Sequence, residues 1–167
     1  MAFYAKNVRS LLLASLLAVT NTWGALTQDQ QQILTTHNQF RKLHQAPPLH
    51  WDAELAQYAA AYAAQCRFKH SGGKYGENLA AGYRSSKEAI QAWHDESKSY
   101  SYQRPGFSKD TGHFTQLVWK STTKLGCALV TCDGLNDTPG EFLVCEYNPP
   151  GNVVSPGYFE NNVIAEN

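Results

Sequence analysis

The order of two hydrophobic periodicities along the chain constrains its fold more than any other feature. In three segments of the first two thirds of the chain, apolar residues recur every three or four positions, the spacing of one face of an α-helix. The last third instead contains two runs typical of strands, KLGCALVTC and EFLVCEYNP, joined by the turn-rich segment DGLNDTPG. Helices followed by a hairpin predict an α+β fold, with the helices packed on an antiparallel sheet.

Polar residues with capping side chains predict where the helices begin. The expected caps directly precede the helical segments: Thr27, Asp52, Ser85 and Thr111. Glu88, three residues after Ser85, completes the capping-box pattern. The helix after Thr111 would be short and end at Trp119, and a short extended piece is expected at 79–83.

Apolar stripes predict which side of each helix faces the core. The first stripe comprises Ile33, Leu34, His37, Phe40 and Leu43. The second comprises Leu55, Tyr58, Ala59, Tyr62 and Cys66. The third comprises Ala89, Ile90, Trp93 and Ser97.

The first 24 residues have the pattern of a secretory signal peptide. Lys6 and Arg9 precede the apolar segment SLLLASLLAV, and small residues follow up to Gly24. About ten apolar residues are too few for a membrane anchor, the alternative interpretation, which needs roughly 20. We therefore expect a signal peptide at 1–24, cleavage after Gly24, and a secreted, extracellular, monomeric protein with a single domain at 25–167.

Charge and cysteine content narrow the functional classes. Lys and Arg total 14, as do Asp and Glu, and loss of Lys6 and Arg9 with the signal leaves a net charge of −2. A chain with this charge has no excess of basic residues, which a nucleic-acid-binding protein typically has.

Four cysteines in a secreted chain predict two disulfides, with three possible pairings. Cys127 and Cys132 are close in sequence, so we expect each to pair elsewhere, and the lack of a C-x-x-C pair disfavours a cysteine zinc site.

Four segments of the chain together form a recognisable pattern: HSGGKYGENLA (70–80), WHDE (93–96), GHFTQLVWKST (112–122) and FLVCEYNPPGN (142–152). In this order they resemble the motifs of the CAP superfamily of cysteine-rich secretory, antigen 5 and pathogenesis-related proteins. The resemblance implies a three-layer α-β-α sandwich with a central antiparallel sheet. Its core would span about 33–152, followed by a short C-terminal tail.

The resemblance also implies a cleft containing His70, Glu77, Glu96 and His113. Two imidazoles and two carboxylates are able to hold a divalent ion, the carboxylates binding directly, through water, or by fixing the imidazole tautomers. Zinc is favoured because calcium prefers six to eight oxygen ligands, with magnesium or an empty site as alternatives. Taken singly, these residues also have structural interpretations, as a loop histidine, a backbone cap and a solvated carboxylate. The other histidines are assigned structural roles: His37, His44, His50 and His94.

The loop YSYQRPGF resembles the sterol-binding loop of fungal Pry-type members of the superfamily. The residues concerned are Tyr100, Tyr102, Pro105, Gly106 and Phe107. Exposed aromatic rings suit the flat apolar face of a sterol. Glu146 after Cys145 is also typical of fungal members, while other members bind fatty acids in a groove between two helices. The resemblance thus implies binding and export of sterols or related lipids.

The sequence is also consistent with two other functions. One is a secreted effector or defence protein that recognises a host or microbial protein, directly or through a peptide from the tail. The other is a metal-dependent hydrolase with Glu77 or Glu96 as general base. The chain has no H-E-x-x-H or G-x-S-x-G motif, so we expect no enzymatic activity.

Resemblance to plant members implies the disulfides Cys66–Cys132 and Cys127–Cys145. Independently, Asn136 begins the sequon NDT, which predicts a possible glycosylation site in the hairpin loop.

Overall fold

Five α-helices and four strands form the part of the chain that the computed structural model describes, residues 25–166. The predicted signal peptide and its cleavage site lie outside these residues. The helices are α1 Gln28–Leu43, α2 Ala53–Ala63, α3 Ser86–Asp95, α4 Gly112–Val118 and α5 Tyr158–Asn162. The strands are β1 His50–Trp51, β2 Gly76–Ala81, β3 Lys124–Thr131 and β4 Glu141–Asn148. Short 3-10 turns lie at Glu96–Ser99 and Leu135–Asp137.

The sheet has the strand order β1-β3-β4-β2. The predicted hairpin is confirmed, because β3 and β4 pair antiparallel, and β2 also pairs antiparallel with β4. The prediction of a purely antiparallel sheet is wrong, because β1 is parallel to β3. No hairpin turn connects β1 to β3, so the direction of this two-residue strand is set by the helices on either side of it.

Alternation along β4 divides the core into two layers, which confirms the three-layer sandwich. Leu143 and Cys145 join the core formed with α1, α3 and α4, whereas Phe142 and Val144 join the core under α2. The α2 layer lies so close to the sheet that a Cβ atom on Gly126 would overlap the backbone of α2. The sheet is therefore sandwiched between α2 on one face and the other helices on the opposite face.

The predicted helix caps are present at three of the four positions. Side chains accept backbone N–H groups at Thr27, Asp52 and Ser85. A full capping box forms at Thr27 with Gln30, whereas the predicted box is only half formed, because Glu88 accepts from the N–H of Arg84 instead of that of Ser85. The prediction for Thr111 is wrong, since its side chain makes no capping hydrogen bond.

Burial follows the predicted stripes in part, because two of the predicted residues are exposed and four, including Leu34 and Phe40, are only partly buried. On α2 the buried residues are Leu55, Ala59 and Ala63, whereas Tyr58 is exposed and Tyr62 is only partly buried. Small alanines let α2 approach the sheet closely, so the tyrosines are displaced to its edge. On α1 Leu43 is exposed, and on α3 Ser97 lies beyond the helix end and is only partly buried.

Arg41 is fully buried on α1, which the hydrophobic pattern did not predict. Its guanidinium group donates hydrogen bonds to four backbone carbonyl groups, those of Pro47, Leu117, Trp119 and Thr122. Burial lowers the pKa of Arg41 to about 10, so the side chain stays charged at neutral pH. This single side chain ties α1 to the end of α4 and to the turn before β3.

The structure joins Cys66 to Cys132 and Cys127 to Cys145, the pairing that the resemblance implies. The first bridge connects the segment after α2 to the end of β3, and the second joins directly opposite residues of β3 and β4. No cysteine within residues 25–166 is free.

Candidate functional site

His70 and Glu77 form the first half of the cleft. Strand β2 begins three residues before the predicted extended piece, so Glu77 lies on a strand with its backbone fixed. Nδ1 of His70 donates to Oε1 of Glu77 at 2.7 Å, and the backbone N–H of Ser71 donates to the same oxygen at 2.9 Å. The hydrogen bond to Glu77 raises the pKa of His70. The His70 side chain is 65% exposed, so its ring faces the open cleft.

His113 and Glu96 form the second half. Nδ1 of His113 donates to Oε1 of Glu96 at 2.6 Å. Oε2 of Glu96 accepts the backbone N–H groups of His113 and Phe114 at 2.9 and 3.0 Å. Glu96 thus replaces Thr111 as the side chain that caps α4. One carboxylate from the end of α3 fixes both the ring of His113 and the helix that carries it.

Neighbouring side chains lock the position of His113. The indole of Trp93 is stacked on the His113 ring, with centroids 6.0 Å apart. Nδ2 of Asn78 donates to the carbonyl oxygen of His113 at 3.0 Å, and Nδ2 of Asn152 donates to that of Gly112 at 2.9 Å. The asparagines were not among the predicted site residues, although Asn78 follows Glu77 directly in sequence and Asn152 ends the fourth motif.

Glu146 is a buried carboxyl group behind Glu77. The two residues are paired across β4 and β2, and Glu146 is 1% exposed. Burial and the Glu77 carboxylate raise the pKa of Glu146 well above its usual range, so it is protonated at neutral pH. Burial acts to raise the pKa of Glu77 as well, but hydrogen bonds from His70 and Ser71 bring it below its usual value. A proton shared between the two carboxyl groups gives a partner to Oε2 of Glu77 and Oε1 of Glu146, which have no other within the described chain.

The paired histidines open into a cavity of about 550 Å³. His70, Glu77 and His113 line it, together with Phe107 and Lys109 from the loop before α4. Cavities of this size are typical of small-molecule sites. The cleft and the aromatic loop, predicted from separate motifs, therefore border one space.

The aromatic loop differs from the prediction in one respect. Tyr100 is 9% exposed and packs edge-on against Tyr102 and Phe114, so it belongs to the core. Tyr102 is half-buried, and Phe107 is the exposed ring of this loop, with 52% of its surface accessible. The spacing of the three aromatic residues in the sequence did not show which rings are buried and which one is exposed. The burial of Tyr100 depends on its packing against Phe114, a residue of α4 outside this loop.

The cleft residues are arranged as two imidazole–carboxylate pairs. Within residues 25–166, two groups of three ligand-bearing residues have all their ligand atoms within 4.8 Å of one another, and the cleft set is not one of them. The first group contains His37 with Cys127 and Cys145, whose sulfurs are joined in a disulfide. The second contains His44, His94 and Glu166. Both Nδ1 atoms of the cleft are engaged by glutamates, which leaves Nε2 of His70 and of His113 for an external ligand.

The other histidines show the range of environments in the fold. His37 is buried and donates from Nδ1 to the carbonyl oxygen of Ile33, while Nε2 accepts from the hydroxyl of Tyr147, both at 2.8 Å. His50 is exposed on β1.

The sequon residue Asn136 is also exposed, and its Nδ2 donates to the carbonyl oxygen of Gln65.

Comparison with known proteins identifies the family. The sequence profile of CAP, the cysteine-rich secretory protein family, matches residues 34–147. The chain belongs to the CAP family. It is 51% identical over 152 residues to the secreted protein RBT4 of Candida albicans, covering 83% of this chain and 41% of that protein. It is 41% identical over 152 residues to the human Golgi-associated plant pathogenesis-related protein 1, covering 84% of this chain and 96% of that protein.

Solved CAP structures share the fold. A crystal structure of NaASP2 with Zn2+ has 26% identity and a TM-score of 0.66, covering 87% of this chain and 90% of that one. The chain spans 40 to 66% of the length of four fungal relatives that it matches. One of these four fungal relatives is named a pathogenesis-related protein and another a secreted protein. None of the four names describes an enzyme. Within residues 25–166, no helix is both long and apolar enough to cross a membrane.

Proposed function

We propose that this CAP domain is a secreted, non-enzymatic binding protein that carries a small hydrophobic lipid of the sterol class. The observation that carries the proposal is the position of Phe107. Its exposed ring lines the cleft together with His70 and His113, and also lines an adjoining groove of about 240 Å³.

The surface around Phe107 is apolar on the groove side. Val154, 77% exposed, and Pro105 line the groove with it, and the Phe107 ring lies against Gly112, where an added Cβ would be 3.2 Å from Cε2. Exposed apolar surface costs about 25 cal/mol per Å² in water, so a flat apolar ligand laid over these residues gains free energy by covering them. The rigid ring adds area at little cost in conformational entropy.

A groove between α1 and α2 is the rival place for a lipid, because the family resemblance implies a fatty-acid site between two helices. It encloses about 970 Å³ over β3 and is lined by apolar side chains that include Ile33, Leu34, Leu49 and Trp51. The two places lie on different parts of the domain and are tested separately.

We further propose that the cleft holds a divalent metal, of which zinc is favoured and magnesium is the alternative. The residues fit an open site, in which Nε2 of His70 and of His113 are the protein ligands and water fills the remaining positions. Glu77 and Glu96 hold the rings through Nδ1, the carboxylate–histidine arrangement that fixes the tautomer and raises the basicity of the ligand. The metal, when bound, supplies a positive charge at the polar end of the lipid site.

The lipid site is tested by binding of labelled cholesterol to the secreted protein and to Phe107→Ala. Loss of the ring should weaken binding about ten-fold, the equivalent of about 1.4 kcal/mol. Phe68→Ala is the matched control, because Phe68 is similarly exposed, at 56%, but does not line the cleft. Equal binding by the two variants would overturn the assignment of Phe107, and no binding by the unmodified protein would overturn the proposed ligand class. The same assay with a chelator shows whether metal and lipid binding are linked.

A further inference from the structure

We propose that His44, His94 and Glu166 form a second metal site, separate from the cleft, that takes a divalent ion of the zinc class. His44 is the C-terminal cap residue of α1, and His94 lies in the last turn of α3. Glu166 belongs to the segment that follows α5. Three distant parts of the chain therefore converge on one point.

The three ligand atoms form a nearly equilateral triangle. Nε2 of His44 lies 3.0 Å from Nε2 of His94. Oε1 of Glu166 lies 3.4 Å from Nε2 of His44 and 3.3 Å from Nε2 of His94. Tetrahedral zinc with bonds of about 2.0 to 2.2 Å separates its ligand atoms by about 3.3 to 3.5 Å. The triangle thus has the size that one tetrahedral ion requires, with the imidazoles moving apart slightly on binding.

A backbone hydrogen bond fixes the tautomer of His44. Its Nδ1 lies 2.7 Å from the carbonyl oxygen of Ile164, and a carbonyl only accepts, so the proton is on Nδ1. Nε2 of His44 is then an acceptor, and Nε2 of His94, 3.0 Å away, donates to it; on binding an ion, His94 would move this proton to its Nδ1 and free Nε2 as a ligand. Metal-binding histidines typically make this hydrogen bond through their second nitrogen.

Aromatic contacts hold both rings in place. The His94 ring is stacked on Phe40 with centroids 4.1 Å apart, and Phe114 packs edge-on against both imidazoles. Imidazoles that are already held in position lose little entropy when an ion binds.

The site is accessible from one side. The side chains of His44 and His94 are 0% and 9% exposed, whereas that of Glu166 is 50% exposed. An ion is able to enter past the carboxylate, and water is able to take the fourth position. Binding would fasten the segment after α5 across the ends of α1 and α3.

The test is a zinc titration of the secreted protein, without a polyhistidine tag, in which His70→Ala and His113→Ala remove the cleft ligands. This double variant is expected to bind one zinc ion per chain at micromolar concentration. Adding Glu166→Gln should raise the zinc Kd about ten-fold or more, and adding His94→Gln should abolish binding. Glu54→Gln changes an exposed carboxylate on α2 and should leave the Kd unchanged.

Cobalt provides a second readout, because tetrahedral Co²⁺ absorbs visible light strongly. The double variant should show this absorption, and His94→Gln should lose it. Circular dichroism checks the fold, and Glu166→Gln keeps the test valid if the buried His94→Gln variant does not fold. The proposal is overturned if the double variant binds no zinc, or if Glu166→Gln binds it as tightly as Glu54→Gln does. Either result would mean that the three side chains form only a hydrogen-bonded contact. The proposed lipid site would not be affected by it.

Discussion

At the scale of single residues, Glu96 connects the fold to the proposed chemistry. Its two carboxylate oxygens accept three hydrogen bonds, two from the first turn of α4 and one from the ring of His113. The structural cap of α4 and the group proposed to orient a metal ligand are therefore the same side chain. This arrangement explains why the short α4 needs no cap from Thr111.

Glu96→Gln is predicted to weaken zinc binding in the cleft about 10- to 100-fold, because an amide orients and polarises His113 less well than a carboxylate. It should also lower the free energy of unfolding by about 1 kcal/mol through a weaker cap. Zinc titration and urea unfolding measure the two effects. Glu88→Gln, in the first turn of α3, is the control, and a matching zinc Kd for the two variants would contradict the role of Glu96.

His37 is predicted to make the fold sensitive to acid. Burial lowers its pKa to about 4 against an ordinary value of 6.5, so below pH 6.5 the unfolded chain binds a proton that the folded chain does not. The free energy of unfolding should fall as the pH drops from 6.5 to 4, with a contribution from His37 of about 3 kcal/mol.

His37→Gln removes this titration. Between pH 6.5 and 4.5 the variant should lose less stability than the unmodified protein, whereas His50→Gln, at an exposed position, should lose as much. Urea unfolding at several pH values measures the difference. Parallel pH profiles for the unmodified protein and His37→Gln would show that another group causes the acid sensitivity.

At the scale of elements, α4 carries half of the cleft and is held by its neighbours more than by its own length. It has only seven residues, too few to be stable alone. Glu96 holds its beginning, and Arg41 holds its end through the carbonyl oxygens of Leu117 and Trp119. The position of His113 therefore depends on α1 and α3.

Arg41→Lys is predicted to destabilise the fold by about 2 to 4 kcal/mol. A lysine ammonium group has three donors on a flexible stem and cannot satisfy four carbonyl groups spread around a planar guanidinium, so buried acceptors lose their partners. Lys42→Arg, the reverse change at the next, exposed position of α1, should be nearly neutral. Thermal and urea unfolding compare the two, and a loss below about 0.5 kcal/mol for Arg41→Lys would contradict the account.

At the scale of the whole molecule, local sequence signals predicted α1 to α4 and the hairpin, and the family motifs predicted the layers and the cleft residues. Helix α5 was not predicted: it lies in the expected C-terminal tail, and its Phe159 packs in the core. Features that depend on distant contacts were not predictable in this way. The parallel pairing of β1 rests on two residues, the burial of Tyr100 depends on Phe114, and the polar role of Arg41 depends on carbonyl groups far along the chain. Periodicity also placed Tyr58 on a buried face, which small alanines occupy instead.

A photoactivatable sterol shows whether the lipid binds beside the cleft. Irradiation of the sterol bound to the purified protein, followed by mass spectrometry of the digest, maps the labelled residues. We expect label at 105–112 and 152–160, the segments that surround Phe107, with competition by unlabelled cholesterol. Competable label confined to Leu34 and Trp51, in the groove between α1 and α2, would contradict it.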